Sequence, residues 1–104
     1  MPKKINPERL QITISSLKAK FETNTINSMN DLMGMYVTGM LAVLEIGYDA
    51  FVRKCASPEK FTIEDLIKIS QVLDVKIDKI VAVVLKQATK NVVAKDISHL
   101  LPKP

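Results

Sequence analysis

Cysteine, histidine and tryptophan are nearly absent: among 104 residues there is one of each of the first two and none of the third, and aromatics make up only 5%. With Cys55 alone no intrachain disulfide can form, which fits a reducing compartment. One cysteine and one histidine cannot supply the three or four ligands that a zinc site normally draws from protein. His99 lies far along the chain from Cys55, so little supports a Cys–His nucleophile pair, whereas the i, i+4 relation of Cys55 to Phe51 suits a small core residue. Three glycines and five prolines exclude a collagenous or linker-like polymer. No apolar run approaches the roughly 18 residues needed to cross a bilayer, and no glycine-rich phosphate loop or calcium loop is present. The carboxylate pairs Glu64/Asp65 and Asp74/Asp78 are explained by caps and solvated faces. The expectation is a protein without metal or cofactor, and not an enzyme.

What is present is the composition of a soluble globular domain, 47% hydrophobic and 25% charged. A fold of this size buries roughly 60 to 68% of its unfolded surface, enough for one domain and too little for two. The net charge of +4 is unevenly spread. Residues 1–22 carry +3 and residues 76–104 carry +4, whereas residues 57–75 carry −2. Basic ends can steer a chain to a polyanion, although +4 is modest. The first residues, with Lys3, Lys4, Asn6, Glu8 and Arg9, lack the apolar stretch of a secretory signal, so the cytoplasm is expected.

A polar lead with Pro2 and Pro7 opens the chain. From Glu8 to about Glu22, Leu10, Ile14, Leu17 and Phe21 recur at helical spacing, while Gln11–Ser15 also alternates as a strand would; helix is the expectation. Ser28 can cap a helix with apolar positions Leu32, Met33, Met35 and Tyr36, and with Asp31 at its positive end. Thr38 can cap a short helix to Glu45, with Leu41 and Leu44 on one face and Ile46 following. Gly47 then offers a turn and a cap for a second short helix, Tyr48 to Cys55. Neither would stand alone in water, so the pair is read as a helix-turn-helix. Ser57-Pro58 ends it, and Thr62 and Asp65 cap the next helix, with Phe61 stapled to Leu66. Its apolar stripe is read as Ile63, Leu66, Ile67, Ser70 and Leu73, after which Val75 and Ile77 point inward. The last helix, about Ile77 to Thr89, presents Ile80, Val81, Val84, Leu85 and Ala88, widened by Ile77 and Val83 as if buried against more than one neighbour. The expected organisation is one all-α domain: an N-terminal element over 1–27, a core over 28–90 and a loose tail over 91–104.

The stretch from Thr38 to Cys55, with its Leu-x-Ile-Gly-Tyr-x-x-Phe spacing, resembles the phage-repressor-like (XRE-type) helix-turn-helix family. The resemblance extends through Ser57–Thr62 and the helix ending Gln71–Val75, over about residues 28–85. It implies a lambda-repressor-like bundle of about five helices, often dimeric, whose third lies in the DNA major groove. Two positions depart from the pattern: Leu41 stands where the family usually has alanine, and Glu45 where it usually has a turn glycine. By this resemblance Gly47, Tyr48, Asp49, Val52 and Arg53 face outward. Arg53 would donate to a guanine edge, Val52 meet a thymine methyl, Tyr48 reach sugar or phosphate and Asp49 accept from cytosine, while Lys54 and Lys60 hold phosphates. Arg53-Lys54 can equally be a solvated helix end favoured by the dipole, and Tyr48 a half-buried aromatic.

Sequence-specific binding of double-stranded DNA by a homodimer that regulates transcription is therefore the leading expectation. The alternative is a protein-interaction module, antitoxin-like or anti-repressor, on the same scaffold. It is motivated by the broad last helix, by Glu45 and Asp49 near the reading face, and by Met33, Met35, Tyr36 and Met40, which core packing also explains.

Overall fold

The structure is a computed structural model that describes residues 5–34 and 36–102. Met35, expected on an apolar helix face, lies outside these residues, as do Pro2, Lys3, Lys4 and Pro104. The described residues form five α-helices and contain no strand: α1 Pro7–Glu22, α2 Val37–Leu44, α3 Tyr48–Ala56, α4 Ile63–Leu73 and α5 Ile77–Ala88. Three 3-10 helices punctuate them, Met29–Gly34, Pro58–Lys60 and Ser98–Leu100. None of the described helices is long and apolar enough to cross a membrane.

Helix wins over strand at α1 because the chain supplies a start signal and a usable face. Asn6 Oδ1 accepts from the Arg9 amide, and Pro7 occupies the first turn, where its missing N–H costs nothing. Thr13, Leu17 and Phe21, four apart, are buried, and α1 packs on α4 and α5. The strand-like alternation goes unused: Ile12 is 69% exposed. The core that α1 completes includes Leu17, Phe21, Met29, Leu32, Met40, Leu44, Phe51, Cys55, Ile69, Leu73 and Ile80. Met40 is thus a core residue.

Several expected details shift. The segment after Ser28 is a 3-10 helix rather than an α-helix. Asn30 and Asp31 favour local backbone bonds over a continuing helix, and the Asp31 carboxylate accepts from the Asn27 amide. Thr38 is not the cap of α2: the helix starts two residues earlier than expected, with Tyr36 in the cap position, which places Thr38 in the first turn. Gly47 does cap α3, but with φ −69° and ψ 155°, a conformation open to any residue. The left-handed turn residue is Glu45, at φ 57° and ψ 42°. This is the position where the resembled family has glycine, and a side chain there costs about 1 kcal/mol. Glu45→Gly is therefore expected to raise stability by about 1 kcal/mol, read as a higher urea midpoint with an unchanged slope.

The capping box of α4 is formed: Thr62 Oγ1 accepts from the Asp65 amide, and Asp65 Oδ2 from the Thr62 amide, both at 3.0 Å. Phe61 is buried and Leu66 packs against the core, as a staple requires. The buried residues of α4 are Asp65, Ile69 and Leu73; of the expected stripe Leu73 is buried and Leu66 and Ser70 are partly covered, but Ile63 and Ile67 are not. Ile63 is 76% and Ile67 41% exposed. The helix is rolled because the Asp65 carboxylate turns inward to a cation on α3. On α5 the buried positions are Ile80, Val84 and Ala88, and Val75 before it is buried too. Ile77 and Leu85 lie off that stripe and are exposed. Residues 91–102 are exposed throughout.

Candidate nucleic-acid interface

α3 is held from beneath. Phe51 and Cys55, one turn apart, are fully buried, so the opposite side of this nine-residue helix faces out. Positions 48 and 52, and 49 and 53, repeat with the same four-residue step, which puts Tyr48, Asp49, Val52 and Arg53 together around an open depression of about 420 Å3. Tyr48 is 58% exposed, Asp49 and Arg53 are exposed, and Val52 is half-buried. At about 1.5 Å per residue the helix is about 13 Å long. A phenol, a carboxylate, a branched methyl pair and a guanidinium share this one narrow face.

Arg53 also lines a second groove, of about 450 Å3, with Ala50, Lys54, Ala56, Ser57 and Lys60. It therefore stands on the ridge between the two hollows. Among the described residues neither Arg53 nor Lys60 is in an ion pair. Lys54, expected to anchor phosphate, is committed elsewhere: its Nζ lies 2.6 Å from Asp65 Oδ2, and both side chains are largely covered. An ammonium that satisfies a covered carboxylate is not available to a passing anion without uncovering that carboxylate. Burial alone would push the Asp65 carboxyl up, but the Lys54 ammonium and the Thr62 amide together hold it below its ordinary value of 3.8. Lys54 thus ties α3 to the start of α4.

The charge around the face is mixed. Glu45, Asp49 and Glu59 are exposed, as are Arg53 and Lys60, and Asp49 shares the depression with Arg53. Cys55 carries no reactivity into the site, since burial pushes its thiol up to about 12. No group of three or more His, Cys, Asp or Glu residues able to hold a metal occurs among the described residues.

One polar residue organises the site without having stood out in the sequence. Gln87 on α5 donates through Nε2 to the Cys55 carbonyl at 2.9 Å, and its Oε1 accepts from the Met29 amide at 2.8 Å. It thereby ties the end of α3 and the start of the Met29–Gly34 segment to α5. Nothing in its spacing marks it, because a glutamine at the edge of an apolar stripe is usually solvated.

The structural motif residues divide accordingly. Leu44, Phe51, Cys55 and Phe61 are buried, Leu41, Ile46 and Leu66 pack against the core, Thr62 caps α4, and Gly47 caps α3. Thr38 is half-buried inside α2. Comparison of the chain with models of known families, with curated proteins and with solved structures gave no match.

Proposed function

We propose that this chain binds double-stranded DNA sequence-specifically through the outer face of α3 and regulates transcription, as a binding protein and not an enzyme. The fold reading is a lambda-repressor-like helix-turn-helix in which α2 and α3 form the motif. The observation that carries it is the gathering of Tyr48, Asp49, Val52 and Arg53 on one outward helix side. Arg53 is the donor for a guanine edge, and Lys60, in the adjoining groove, holds a phosphate. Two copies would set two α3 helices about 34 Å apart on successive major-groove turns.

An anisotropy titration against genomic fragments at two salt concentrations tests this. Arg53→Ala is expected to relax base preference at a cost of about 1–3 kcal/mol per half-site. Lys60→Ala should weaken all sequences alike and reduce the salt slope by about 1. Glu45→Gly, which removes a carboxylate beside the face, should tighten binding modestly. A salt-independent affinity, or none above the non-specific level, counts against the reading.

The second reading is a protein-interaction module on the same scaffold. The exposed carboxylates Glu45, Asp49 and Glu59 favour it, since each repels a phosphate backbone. Retention of a protein partner by the chain, lost in Asp49→Lys and accompanied by no DNA affinity, would favour it over the first.

A further inference from the structure

The end of α5 leaves two apolar surfaces uncovered. An open groove of about 420 Å3 is lined by Pro58, Phe61, Val84, Leu85, Ala88 and Val92, with Leu85 59% exposed. Beyond Asn91 the chain carries Val92, Val93, Ile97, Leu100 and Leu101, all between 48% and 87% exposed. Apolar side chains at this density cost free energy in water, and patches of this kind mark contact surfaces.

Groove and arm belong to one chain yet do not meet within it. Val92 lines the groove, and no later residue does, so the arm departs at the groove's edge. With residues 91–102 exposed, the molecule measures 62 × 33 × 20 Å. Its radius of gyration is 16.6 Å, against the roughly 13 Å of a compact domain of this length. We propose that residues 93–101 of one copy lie in the α5 groove of a second copy, and reciprocally. A two-fold exchange covers both apolar surfaces with no other partner and closes on itself. The charges are complementary: Glu59 on the groove wall can meet Lys95 of the incoming arm. The inference names the seam of the two-copy arrangement in the preceding reading. Its test uses no DNA, so either can fail alone.

Sedimentation equilibrium of the full chain is expected to show a dimer. Leu85→Lys, and separately the pair Ile97→Lys and Leu101→Lys, should raise its dissociation constant at least tenfold with helical circular dichroism unchanged, since all three positions are exposed. Copies carrying Leu85→Cys are then mixed with copies carrying Ile97→Cys and treated with a flexible bis-maleimide, to which the buried Cys55 is inert. A cross-linked heterodimer is expected. A monomeric native chain, a dimer indifferent to both sets of lysines, or the absence of a cross-linked heterodimer from that mixture would overturn the proposal.

Discussion

Lys54→Met is expected to lower stability by about 3 kcal/mol at neutral pH, the characteristic loss when one member of a covered ion pair is removed. The methionine keeps most of the packing of the lysine stem, so the loss comes from the Asp65 carboxylate, left facing the interior with only the Thr62 amide as partner. The effect depends on pH with a definite sign. Because Asp65 is held below its ordinary 3.8, its contribution is complete above the carboxylate range and is lost as the pH falls through the lower folded value. Acid should therefore shrink the gap between native chain and variant. Urea unfolding at pH 7 and near pH 3 reads this directly, and a gap of equal size at both would sink the assignment. Restoring both losses at once, with Asp65→Leu added to Lys54→Met, should recover much of the stability, since an apolar pair carries no desolvation cost.

Gln87→Leu should cost about 2–3 kcal/mol, although leucine matches the apolar face better than glutamine. The substitution strips the Met29 amide and the Cys55 carbonyl of their partner at once, and partly buried orphan groups cost about 1–3 kcal/mol each. Water reaching the half-covered site offsets some of this, which is why the lower part of the summed range is expected. Hydrogen exchange gives a sharper reading than the midpoint alone: the Met29 amide should lose protection selectively. A midpoint within the error of the native value, with that amide still protected, would show that the bonds carry no net stability.

The two cases mark where the sequence is legible. The Thr62/Asp65 cap and the burial of Phe51 with Cys55 could be read directly, because caps and four-residue spacings are local properties of the chain, whereas the first element kept a strand-like alternation beside its helical spacing. The outward grouping of Tyr48, Asp49, Val52 and Arg53 is expected from the family resemblance, not from the spacing itself. What could not be read depends on a partner distant in sequence. Lys54 looked like a surface cation because its carboxylate lies on the next helix, and that same pair rolls α4 so that Ile63 and Ile67 face water while Ile69 is covered. Gln87 bridges 58 residues to Met29, beyond any periodic signal. Gly47 attracted the turn because it is glycine, whereas the chain bends at Glu45, where a left-handed conformation is adopted at a cost that composition does not reveal.

Of the three glycines only Gly39, within α2, is closely surrounded. A methyl group built on it would fall 2.7 Å and 2.8 Å from the Tyr36 ring carbons and 3.0 Å from Leu10 Cδ1. The ring cannot easily yield, since its hydroxyl accepts from the Asn6 amide and its face carries the Arg9 guanidinium at 4.6 Å. The usual ranking of residues in a helix is therefore inverted at this one place. A saturation library should tolerate many residues at the exposed Ala42 and reject even alanine at 39, where a single added carbon would prise the leading helix away from the body it closes.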